Sequence, residues 1–172
     1  MRRFQKQQML NIVADLHIAH QQSRDALLQK EYESIRLSLC DFQQEAIRLG
    51  ETIEQLEGVG TAAVRYLEEY CEKLYHTSMQ LEELTAKKYY KTLEEALIKA
   101  ENEIARMPVR KEIVFLPYKA SMWDSLESVY LAAKADENCD AYVVPIPYYD
   151  RNEDGSLGNY TMKGTNIRKI SK

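Results

Sequence analysis

Asp150, Asn152, Asp154 and Gly155 stand in "DRNEDGSLG" at the spacing that opens a calcium-binding EF-hand loop, D-x-[DN]-x-[DN]-G. Such a loop closes on a bidentate glutamate at its twelfth position and lies between two helices. Counted from Asp150, that position is Thr161, and the residues before Asp150 read as a strand. Asn, Asp and Gly are also what a turn requires, since Asn and Asp tolerate left-handed backbone and Gly takes positive φ. A turn is the expectation here, with no metal.

His17 and His20 are three residues apart and would share one face of a helix. A metal site on them needs further ligands, and no Cys or third His stands at motif spacing. A helix–helix contact or exposure to solvent is therefore expected of the pair. His76 is isolated, and no Ser-His-Asp or Cys-His set can be assembled by spacing, although such groups converge only in space. Cys40, Cys71 and Cys139 are odd in number and far apart, and they read as reduced packing thiols in a cytoplasmic protein.

A third group lies in "PYKASMWDSLE" and "PIPYYD": Tyr118, Lys119, Ser121, Trp123 and Asp124, then Tyr148, Tyr149 and Asp150. Aromatic faces beside a carboxylate suit a sugar, polyol or nucleotide. Ser121 and Asp124 fit a capping box with Ser121 as N-cap, and the N–H groups of that first turn could hold a phosphate, with Lys119 adding charge. The glycines of a dinucleotide fingerprint or P-loop are missing. The plainer reading is a capped helix with Trp123 packed on a sheet and surface tyrosines packed on neighbouring structure.

The elements that would position these residues fall into two halves. Residues 1–107 carry apolar stripes at three- and four-residue spacing: Met9, Val13, Leu16, His20, Ser23, Leu27; then Tyr32, Ile35, Leu39, Phe42, Ala46, Leu49, Ile53, Leu56. After "GVG" (58–60) the pattern restarts at Val64, Leu67, Cys71, Leu74, Ser78 and Leu81. It resumes at Leu93, Ala96, Leu97, Ala100, Ile104 and Met107, before Pro108. About four helices are expected, as a bundle or long helical hairpins, and stripes this long could also form a homodimer.

From residue 108 the pattern changes. "EIVFLP" (112–117) and "AYVVPIP" (141–147) read as strands, and "DSLESVYLAAKA" (124–135) as a helix between them. Together they predict a βαβ unit, with apolar runs suited to a parallel sheet covered on both faces and a right-handed crossover. At most one more strand, near 158–162, fits after the Asp154–Gly155 turn. The fold class is thus α followed by α/β: a helical module over 1–107, then a short, incomplete Rossmann-like unit over 108–172. Two parallel strands alone leave open edges and an uncovered face, which predicts the beginning of a larger α/β domain.

The net charge of −4 and isoelectric point near 5.5 predict no general attraction to nucleic acid or anionic membranes. No apolar run is long enough for a secretory signal or a spanning helix.

The segments "VFLPYKASMWDSLESVYLAA" (114–133) and "CDAYVVPIPYYDRNEDGSLG" (139–158) resemble a region near the start of bacterial CDP-glycerol glycerophosphotransferase-like proteins. Those are two-domain, GT-B-type transferases that build teichoic-acid-like polymers, and a helical region resembling residues 1–107 precedes the matching segment. The resemblance implies that Tyr118, Lys119, Ser121, Trp123, Asp124, Tyr148, Tyr149 and Asp150 line an interdomain cleft that holds acceptor or a nucleotide-activated glycerol or polyol. It also implies that the nucleotide-binding domain and catalytic histidines lie downstream of the matching segment. No catalytic residue carries over, no cofactor is expected, and the chain by itself is expected to be inactive. The alternatives are a non-enzymatic helical homodimerisation protein and a small calcium or nucleotide sensor.

Overall fold

The first two helices start and stop where backbone chemistry requires. In the computed structural model, which describes residues 1–118 and 122–161, α1 spans Arg3–Leu28 and α2 spans Tyr32–Glu57. At 26 residues each, both are about 39 Å long. The Gln5 side-chain oxygen accepts from the Arg2 backbone N–H at 2.7 Å, satisfying one donor at the start of α1. Gly58 ends α2 at φ +86°, a backbone conformation that costs glycine little.

Helices α3 (Ala62–Met79) and α4 (Ala86–Arg106) each begin at a threonine cap. The Thr61 hydroxyl accepts from Val64 N and the Thr85 hydroxyl from Lys88 N. A single 3-10 turn, Leu81–Glu83, lies between these two helices. Short connections make consecutive helices antiparallel neighbours. The Met1 amino group accordingly pairs with Glu57 at the end of α2, and Lys6 Nζ donates to the Met107 carbonyl at 2.9 Å beyond the end of α4. Helix α1 packs on α2 and α4, and α3 packs on the same two.

One hydrophobic core holds the four helices together. The α1 stripe is buried at all six positions, from Met9 to Leu27. In α2 the positions from Ile35 to Ile53 are buried, while Tyr32 and Leu56 pack at the margin. In α3 the buried line includes Tyr70 and Thr77, whereas Cys71 and Ser78, expected in the stripe, are only half-buried. Fully burying one such aliphatic or aromatic side chain stabilises by roughly 1.5–3 kcal/mol, so the shared core is the main source of order. The stripes that raised the possibility of a homodimer are spent on one another within the chain.

Met1–Pro108 and Val109–Lys172 are separate compact units. In the second, β1 (Lys111–Phe115) and β2 (Cys139–Val143) pair in parallel, with Ile113 opposite Ala141 and Phe115 opposite Val143. Helix α5 (Trp123–Ala135) connects them and packs on one face, where Phe115, Trp123, Tyr130 and Ala133 form a small core with Ile113 and Val143 at its edge. The alternate residues face away from α5. Val114 is 47% and Tyr142 46% exposed, so among the described residues the second face of this pair is open, as expected of two parallel strands by themselves. The cover on both faces that the apolar runs suit is not supplied there.

The chain past β2 departs further from expectation. Tyr148, Tyr149 and Asp150, which lie beyond the expected strand run 141–147, belong to a further strand, β3 (Tyr148–Arg151), which pairs antiparallel with β4 (Leu157–Thr161) as a separate two-stranded sheet. Pro145 and Pro147 explain the break from β2, because proline offers no N–H to a ladder. The expected strand at 158–162 is β4, whose last expected residue, Met162, lies outside the described residues.

The capping expectation for α5 is also revised: its N-cap is Met122, with no side-chain capping bond, while Ser121 and Lys119 lie outside the described residues. No helix among the described residues is long and apolar enough to cross a membrane.

Candidate functional site

The carboxyl ends of β1 and β2 bring part of the third residue group together. Pairing continues beyond the strands, with Val144 N donating to the Phe115 carbonyl at 2.9 Å and Ile146 N to the Pro117 carbonyl at 3.1 Å. This places Tyr118 beside Tyr148, and their rings meet edge to face at 5.7 Å. Tyr149, next along β3, stacks instead with Tyr160 of β4 at 5.1 Å, opposite it in the register. Asp150 sits at the register shift between Tyr149 and Arg151 and is exposed. Asp124 is exposed in the first turn of α5.

Trp123 leaves the expected binding set. It is 3% exposed and packs against Tyr130, with ring centroids 5.2 Å apart, on the core side of α5. Its size and apolar surface favour that burial over the rim.

The calcium-like stretch is the turn of the β3–β4 hairpin. Asp154 Oδ1 accepts from the Ser156 hydroxyl at 2.6 Å and from the Ser156 amide at 2.9 Å. These bonds, the hydroxyl first and the amide second, hold the Asp154 carboxyl below its ordinary value. Asn152 Nδ2 donates to Ser156 Oγ at 3.0 Å, and Gly155 takes φ +81°. A Cβ at Gly158 would lie 2.9 Å from the Asp150 carbonyl oxygen, so glycine is required where the two strands approach.

A connected polar group lies in the first unit, inside the bundle. His20 is fully buried on α1 and touches each of the other three helices. Its Nδ1 meets Glu94 Oε1 of α4 at 2.7 Å, its Nε2 meets the Tyr70 hydroxyl of α3 at 2.6 Å, and its ring lies edge-on to Phe42 of α2 at 5.2 Å. One turn away, His17 Nδ1 meets the other Glu94 oxygen at 2.7 Å and His17 Nε2 meets Glu101 at 3.3 Å.

Proton positions in this network follow from its acceptors. Burial pushes the His20 pKa down, partly opposed by the hydrogen bond and charge of Glu94. A neutral His20 with its proton on Nδ1 donates to Glu94 and leaves Nε2 to accept from Tyr70 O–H. Burial also raises the Tyr70 hydroxyl well above its ordinary range, keeping it a donor. His17 faces a carboxylate at each ring nitrogen.

The expected helix–helix contact of His17 and His20 is thus present, and its partners are residues that sequence spacing left out. Glu94 and Glu101 are seven apart, two turns along one face of α4, and Tyr70 lies on α3. That spacing is a signal for a shared face, but it does not say which helix the face meets. His76 takes no part; it neighbours the Tyr75 ring at 5.6 Å. Burial raises the Cys71 thiol, as fits a packing cysteine. Compared with family models, curated proteins and solved structures, the chain gives no match.

Proposed function

We propose that this chain is the N-terminal portion of a CDP-glycerol glycerophosphotransferase-like protein, working in the cytoplasm in teichoic-acid-type polymer synthesis and inactive by itself. The observation that carries the reading is the β1–α5–β2 unit, a parallel pair with one apolar face on α5 and the other, through Val114 and Tyr142, open. Parallel sheets are buried on both faces in stable domains, so this unit suits the start of a larger α/β domain. In such domains ligands bind beyond the carboxyl ends of the strands, where Tyr118 and Tyr148 meet.

In this reading Tyr118 and Tyr148 offer ring faces to a glycerol or nucleotide moiety, while Asp124 and Asp150 accept from its hydroxyls. Lys119 and Ser121, between β1 and α5, belong to the same proposed set. Trp123 supports the rim from beneath, and Tyr149 supports the hairpin.

The test is an NMR titration of the full chain with CDP-glycerol. The expected result is selective movement of the Tyr118, Tyr148 and Asp150 resonances without turnover. No movement at those residues overturns the rim assignment, and measurable glycerophosphate transfer by this chain alone overturns its inactivity. A homodimer built on the helical stripes is the weaker reading, because their apolar residues already fill one core. Light scattering that gives a dimer would restore it.

A further inference from the structure

The polar group in the bundle has the composition of a metal site. The two histidines on α1 turn the same ring nitrogen, Nδ1, toward the two oxygens of one carboxylate on α4. Each histidine is held by a different partner at its other nitrogen, His20 by the Tyr70 hydroxyl and His17 by Glu101. Metal-binding histidines are oriented in this way, with the non-ligating nitrogen anchored by an outer polar group. The available ligand atoms of His17, His20 and Glu94 all lie within 4.8 Å of one another.

We propose that His17 Nδ1, His20 Nδ1 and the Glu94 carboxylate bind one divalent transition-metal ion of the zinc type, with Glu101 and Tyr70 as its outer partners. Two imidazoles and a carboxylate suit zinc and its neighbours, whereas calcium and magnesium take all-oxygen sets. Bonds of about 2.0–2.1 Å in a tetrahedron put ligand atoms about 3.4 Å apart. The Nδ1–carboxylate separations of 2.7 Å must therefore open by about 0.7 Å on binding.

At each Nδ1 the ion takes the place of a hydrogen. The His20 proton moves to Nε2 and is donated to the Tyr70 oxygen, which turns from donor to acceptor. His17 presents a proton on Nε2 to Glu101, and any proton displaced on binding passes to solvent. Two positive charges come to lie among two carboxylates, and α1 and α4 are joined by coordination as well as by packing. His17 and Glu94 are partly exposed while His20 is fully buried, so the ion enters from the His17 side. Three protein ligands leave one position of a tetrahedron for water.

Isothermal titration of the chelator-treated full chain with Zn²⁺ tests this. One saturable site per chain and a raised melting temperature are expected, with no comparable response to Mg²⁺. Co²⁺ should give d–d absorption without thiolate charge transfer, which separates this site from Cys40, Cys71 and Cys139. Glu101→Gln should weaken binding about 10- to 100-fold, the usual effect of losing an outer partner. His17→Gln, at a partly exposed position, should abolish the site while leaving helicity unchanged. Absence of saturable binding, thiolate bands in the cobalt spectrum, or unchanged affinity in folded His17→Gln or Glu101→Gln would overturn the proposal.

Discussion

Replacing Tyr70 by Phe isolates one bond at the centre of the bundle. The ring is fully buried, and Phe keeps it, so little packing is lost. What disappears is the hydroxyl 2.6 Å from His20 Nε2. His20 cannot compensate by moving its proton, because Glu94 needs a donor at Nδ1. The Nε2 lone pair is then stranded in a dry interior, at a cost of about 1–3 kcal/mol. For a unit of this size each kcal/mol lowers the melting temperature by roughly 4–8 °C, so a fall of about 4–24 °C is expected. Circular dichroism melts and urea unfolding in the presence of chelator measure it without metal. In a His20→Leu background the Tyr70 hydroxyl is already unpaired, so Tyr70→Phe should there cost nothing or stabilise. If Tyr70→Phe alone stays within about 0.5 kcal/mol of the natural chain, the stranded-acceptor reasoning is wrong.

Leu97, fully buried on α4, should cost about 2–5 kcal/mol when cut to Ala, and urea unfolding checks it; a cost under about 1 kcal/mol would mean that the core collapses onto the gap. Gly158→Ala puts a Cβ 2.9 Å from the Asp150 carbonyl and should separate β3 from β4, seen as loss of nuclear Overhauser contacts between Tyr149 and Tyr160. The Asp154 carboxyl is held below its ordinary 3.8, so its contribution to the hairpin is present above that value and lost as pH falls through the lowered one. Ser156→Ala removes the larger cause and should bring the Asp154 midpoint in an NMR titration back toward 3.8; an unmoved midpoint would exclude Ser156 as that cause.

Helix periodicity was legible because burial of a helix face repeats every three to four residues whatever the partner is. Met9, Val13, Leu16, His20, Ser23 and Leu27 could be picked out as one face, including its two polar members. Tyr70 and Thr77 displaced Cys71 and Ser78 in α3, because a helix contacting two neighbours buries a wider arc than one stripe. After Pro108 the helix was legible by its spacing and the strands as short apolar runs, but no strand was expected at Tyr148–Arg151. Its strand character depends on pairing with Leu157–Thr161, which short-range composition does not encode.

The two polar sites divide in the same way. Local chemistry alone marked Asn152, Asp154 and Gly155 as a turn, since their preferences act over a few residues. It could place His17 and His20 on one face but could not supply Glu94, Glu101 and Tyr70, which stand 50 to 84 residues away. Periodicity within the sequence determined which side of α1 turns inward. Only the packing of four helices around one core decided that His20 would meet a carboxylate, a hydroxyl and a phenyl ring there, because those encounters depend on how the helices rotate and slide against one another.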